Sequence, residues 1–163
     1  MLGTYEEGKT TFIRDLVLDF LEAARLAQMP ICPKDLFTEL LEAPHKPNSL
    51  PPGHMAVYSF FWKGQCLKVG KVGSNSNARY LSQHYNPKSS MSNLAASLLK
   101  ASQEMGLQDL DEHNVGDWIR ERTDRVNFIL PSKVGVPVLN LLEAFLQCRL
   151  NPRFEGFESQ KAR

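Results

Sequence analysis

Four of the ten residues from Pro44 to Gly53 are proline, at positions 44, 47, 51 and 52. Proline fixes φ and has no N–H to give, so this segment forms neither a helix nor a central strand. The chain therefore changes character across it. On the N-terminal side, Phe12, Ile13, Leu16, Val17, Phe20, Leu21 and Ala24 recur at helical spacing. Arg14, Asp15, Asp19, Glu22 and Arg25 fall mostly on the other side, which predicts an amphipathic helix over residues 10–28. Pro30 stops that helix. Pro33 suits the first turn of a second, shorter one reaching about Ala43, with Leu36, Leu40 and Leu41 as its apolar side. Residues 1–43 thus read as a helical N-terminal extension and residues 44–54 as a linker.

Beyond the prolines the pattern turns β-prone. Met55 to Trp62 reads as a strand, Lys63-Gly64 as a two-residue hairpin turn, and Gln65 to Gly70 as the strand that pairs back. Residues 71–77 form a loop of small residues whose Asn or Ser can cap a short helix over 78–85. Helices are expected over 93–105, 115–122 and 136–150, with a third strand over 125–130 ended by Pro131. The fold class is α+β, a small three-stranded antiparallel or mixed sheet flanked by helices, with the helical extension in front. A length of 163 residues suits one domain with such an extension, and 42% hydrophobic residues supply a core.

The formal net charge of +1 hides a polarised chain. Residues 43–103 contain no Asp or Glu but hold Lys46, Lys63, Lys68, Lys71, Arg79, Lys88 and Lys100, a charge of +7. The flanks carry the remaining 12 basic and 18 acidic side chains, a charge of −6. A basic segment of this kind attracts phosphates, or else forms a solvated face. Cys32, Cys66 and Cys148 are odd in number and widely spaced, and the four histidines show no zinc pattern, so neither a disulfide framework nor structural zinc is expected. No apolar run approaches the ~18 residues of a membrane span, and the acidic N-terminus has no secretory pattern. The expected setting is cytoplasmic, without a membrane partner.

Two motifs bear on chemistry. Gly3 to Thr10 satisfies the P-loop expression, but only two residues precede Gly3, and Glu6 and Glu7 would face the phosphates. Coincidence at a helix start is the better reading. In the last helix Leu139, Leu142, Leu146 and Leu150 form a stripe, and Glu143 lies on the same face. Either it sits at the stripe's edge, in solvent or paired with an Arg, or it is a metal ligand.

Ala56-Val57-Tyr58, then Lys68-Val69-Gly70-Lys71, Arg79, His84, Glu143 and the ending Asn151 to Gly156 together resemble the GIY-YIG nuclease domain. The resemblance spans residues 55–157 and leaves 158–163 as a C-terminal tail. It implies a metal-dependent endonuclease that hydrolyses DNA phosphodiester bonds in restriction, repair or defence, with RNA open as a substrate. Tyr58 would orient or deprotonate the water, and Arg79 would clamp the phosphate with its planar fork. Glu143 would hold Mg²⁺, with Mn²⁺ as a substitute, and His84 would assist proton transfer or contact the phosphate. Lys63, Lys71, Ser74, Asn75 and Lys88 are the candidates for contacting DNA. Three positions depart from the family pattern: Ala56 replaces its Gly, Lys68 its second Tyr, and Glu155 its Asn. A cation at 68 can stabilise charge on the phosphate or help to activate water, which keeps Lys68 among the catalytic candidates. The alternatives are a nucleic-acid-binding module weakened in catalysis by these changes, and an interaction protein working through helix 10–28. Association as a homodimer would run through the N-terminal helices.

Overall fold

A computed structural model describes residues 4–90 and 93–154. Helix α1 (Lys9–Leu26) is followed by β1 (Phe37–Leu41), β2 (His54–Trp62) and β3 (Gln65–Val72). Then come α2 (Asn77–Leu81), α3 (Leu94–Ala101), α4 (Val115–Arg122), β4 (Asp124–Pro131) and α5 (Val136–Leu150). The class is α+β, as expected. The sheet, however, has four strands in the order β1-β4-β2-β3, all antiparallel, instead of three.

The added strand corrects the reading of the front end. Residues 33–43 were expected to be helical, but after a single 3₁₀ turn at Pro33–Asp35 they form β1, which pairs with β4 from Phe37↔Ile129 to Leu41↔Arg125. The apolar spacing of Leu36, Leu40 and Leu41 fits a helix face. A neighbouring strand with open hydrogen-bonding groups is what local spacing leaves out, and pairing overrides weak propensity. The proline-rich segment is packed as well: His45 and Leu50 are buried, and the Leu50 N–H donates to Asn77 Oδ1 at 3.0 Å.

Met55 to Phe61 are buried without alternation, which marks β2 as a strand covered on both faces. On one face Met55, Val57, Val126 and Phe128 meet Ile13, Leu16 and Phe20 of α1 and Val138, Leu142 and Leu146 of α5. On the other face Ala56, Tyr58, Phe60 and Val72 meet Tyr80, Tyr85, Leu94, Leu98 and Ile119. Each Val, Leu, Ile, Phe or Met among them, fully buried, contributes about 1.5–3 kcal/mol. The sheet is thus a middle layer between α1/α5 and α2–α4.

The hairpin turn is Lys63-Gly64, with φ of 48° and 74°, the two positive values that a primed two-residue turn requires. Beyond it the register slips. Phe60 faces Lys68 while Phe61 faces Cys66, so Leu67 is a bulged residue. The bulge places Lys68 and Gly70 on the same face as Phe60 and Tyr58. Among the described residues no helix is long and apolar enough to cross a membrane.

One carboxylate ties the front end to β4. Asp124 accepts from the Tyr5 hydroxyl at 2.9 Å, from the Ala43 N–H at 2.9 Å and from Lys9 Nζ at 2.7 Å. Burial alone would raise its pKa, but these three contacts outweigh burial and hold the carboxyl below its ordinary value. A depressed carboxyl stabilises the fold above its unfolded pKa and loses that contribution as pH falls through the folded value. Asp124→Asn should lower stability by about 1.5–3 kcal/mol at neutral pH in urea unfolding. The gap to wild type should close as the pH drops below about 4.

Candidate active site

The side chain of Tyr58 has no solvent exposure, and its ring lies across Gly70 on the neighbouring strand. A Cβ at Gly70 would come within 2.9 Å of the Tyr58 hydroxyl and ring edge, so glycine is what lets this ring pass over β3. β3 is an edge strand, and the tyrosine is thereby aimed at the sheet's rim.

The hydroxyl meets His84 Nε2 at 2.6 Å. His84 Nδ1 accepts the Leu94 N–H at 3.2 Å, so the neutral ring carries its proton on Nε2 and donates it to Tyr58. Burial, then the charges of Lys68, Arg125 and Arg79, lower the His84 pKa to about 3, which keeps it neutral. Burial raises the Tyr58 pKa. Arg79 on α2 acts on the same hydroxyl and pulls the other way, as does Arg125, while Glu143 adds to the rise.

Four of the five expected catalytic residues, Tyr58, Lys68, Arg79 and His84, act on one another within this cluster. Lys68 is buried on the Tyr58 side of the bulge and donates to the Phe154 carbonyl at 3.2 Å. The backbone of Arg153 and Phe154 also docks on β3, through bonds to the carbonyls of Cys66 and Leu67. Glu155 lies outside the described residues.

Glu143 approaches from α5. It is partly exposed at the edge of the leucine stripe, and Lys71 Nζ sits 2.6 Å from its Oε2 and 2.9 Å from Asn140 Oδ1. Glu143 thus stands at the stripe's edge and pairs with a lysine, where an Arg was expected as the alternative to a metal. Lys71, expected to meet DNA, is engaged here. Lys88 is engaged with Glu112 at 2.8 Å, and Lys63 lies over the Trp62 ring at the hairpin tip, the opposite end of β2 and β3 from Lys71. Ser74 and Asn75 are exposed between β3 and α2. The basic segment is therefore partly neutralised in space by acidic residues of the flank.

No group of three or more His, Cys, Asp and Glu side chains suited to a metal occurs among the described residues. The oxygen donors at the rim, Glu143 and Asn140, still fit Mg²⁺, which keeps most of its waters and needs only one or two carboxylates beside substrate oxygens.

Sequence reading missed Arg125 and Asn127. Both lie on β4 facing the Tyr58 side, and both are fully buried. Alternation with Val126, Phe128 and Leu130 puts positions 125 and 127 on the other face of β4. Only the layer of α2–α4 over that face buries them. No family model, no curated protein and no solved structure matches this chain.

Gly70→Ala tests the geometry without reference to activity. It should cost about 1–3 kcal/mol in denaturant unfolding and shift the Tyr58 ring away from His84 in a crystal structure.

Proposed function

We propose that the chain is a metal-dependent endonuclease of the GIY-YIG type that hydrolyses DNA phosphodiester bonds. The observation that carries this reading is the convergence of Tyr58, His84, Arg79 and Lys68 on one sheet face, with Glu143 acting on Tyr58 from across the edge strand. The cluster pairs a proton-accepting oxygen with fixed cations, which is what phosphodiester hydrolysis needs.

Tyr58, as the phenolate, takes the proton of the attacking water. His84 Nε2–H and Arg79 hold that oxygen in place and stabilise its charge. As the water oxygen bonds to phosphorus, the bond to the leaving sugar oxygen breaks, and that oxygen takes a proton from solvent. Arg79 and the charge of Lys68 offset the negative charge that builds on the phosphate. Glu143, with Asn140, would hold Mg²⁺, which supplies Lewis-acid stabilisation of phosphate oxygens when bound. An odd number of widely spaced cysteines suits a reducing compartment, and we place the enzyme in the cytoplasm.

A second reading has one observation in its favour. Lys71 already neutralises Glu143 at 2.6 Å, as suits a module that binds phosphates without metal or turnover. Plasmid DNA with Mg²⁺ or Mn²⁺ separates the two. Cleavage that falls at least ~100-fold in Glu143→Ala supports the nuclease, whereas salt-sensitive binding without cleavage supports the module.

The pH profile follows from the same geometry. Cleavage should rise on the alkaline side as Tyr58 ionises. It should show no limb at the ordinary histidine value of 6.5, because His84 is held neutral down to about 3.

A further inference from the structure

Arg125 heads the fully buried side chains by size, with no exposed surface. A guanidinium does not shed its charge by losing a proton, so burial here has to be compensated. Yet among the described residues it makes no ion pair. Its Nε donates to Asn127 Oδ1 at 2.8 Å and its Nη1 to the Tyr85 hydroxyl at 3.1 Å, while Nη2 has no hydrogen-bond partner.

The surroundings keep this charge in place without neutralising it. Asn127 Nδ2 donates to Glu39 Oε2 at 2.8 Å, so the carboxylate stands one amide away from the guanidinium. Tyr85 has its proton committed, because His45 Nδ1 donates to the Thr123 carbonyl and leaves Nε2 to accept from the Tyr85 hydroxyl at 2.8 Å. The remaining contacts are ring faces. The Arg125 Cζ lies 4.9 Å from the Tyr58 ring, 4.4 Å from Tyr80 and 5.5 Å from Phe60. Glu39, Asn127, Tyr58 and Gly70 form one row across all four strands, with Arg125, Phe60 and Lys68 in the next row on the same face.

We propose that Arg125 is a positioning residue for the chemistry at Tyr58: a permanent buried cation behind the ring that stabilises the phenolate. It acts on the ring, whereas His84 and Arg79 work on the oxygen itself, and the proposal rests on the reading of Tyr58 as the proton acceptor. The other charges facing Tyr58 are Glu143 from α5, which opposes the effect, and Lys68 from β3, which acts through His84. An apolar residue at 125 would fill the space without leaving an unsatisfied Nη2. A carboxylate at 127 would cancel the charge. The amide at 127 orients the fork and leaves its charge in force.

The test titrates tyrosine ionisation by absorbance in the protein without DNA or metal, with Tyr58→Phe identifying the Tyr58 contribution. Two variants remove the field. Arg125→Met deletes the charge, and Glu39→Gln with Asn127→Asp moves the carboxylate next to Arg125 while preserving side-chain size and hydrogen-bond count. Both should ionise Tyr58 at higher pH than wild type. Both should also lower kcat for DNA cleavage about tenfold or more at neutral pH, with KM little changed and part of the loss regained in alkali. Tyr58 ionisation that stays at the wild-type pH in either folded variant overturns the proposal. If Arg125→Met does not fold, the double variant decides. If the wild-type chain cuts no DNA, the nuclease reading fails, while the titration still supports or overturns the effect of Arg125 on Tyr58.

Discussion

Tyr58 is buried on every side, its ring crosses Gly70, and the arrangement of the site follows from that contact. The missing Cβ at position 70 lets the phenol lie over the edge strand instead of stopping at it. Because β3 has no neighbour beyond it, α2 and α5 can bring Arg79 and Glu143 to the rim from the two faces of the sheet. The bulge at Leu67 completes the set by turning Lys68 to the tyrosine's side. A buried phenol resists ionisation, and what offsets that resistance is a group of fixed donors and cations, His84, Arg79 and Arg125.

The elements carried by strong local patterns were legible in the sequence. The hairpin turn at Lys63-Gly64, the strand before Pro131 and the last helix from Val136 to Leu150 stand where periodicity and turn residues place them. Helix α1 is as expected to within a residue or two at either end. β1 was not legible, because Phe37 to Leu41 has spacing compatible with a helix and takes its form from pairing with β4. The same limit hid Arg125 and Asn127: alternation tells which residues share a face, but not whether a second helical layer will cover it.

Charge counting gave a result that space modifies. The acid-free run of residues 43–103 does contain two of the cluster's cations, Lys68 and Arg79, while Arg125 lies beyond it. Folding then brings Glu143 to Lys71 and Glu112 to Lys88, so the segment is less positive as a surface than as a sequence. Lys68 is buried, and its charge is spent on His84 and its neighbours. Arg79, exposed on α2, is the cation of the cluster best placed to meet a phosphate from solvent.

The proposed nuclease seats one phosphate between Arg79 and Glu143, beside the Tyr58 hydroxyl. A crystal structure of Tyr58→Phe with a DNA duplex and Mn²⁺ tests it most directly. The expected result is anomalous density for Mn²⁺ at Glu143, Lys71 displaced from that carboxylate, and a phosphate within hydrogen-bonding reach of Arg79. DNA seated on another surface, or Mn²⁺ bound away from Glu143, would contradict it.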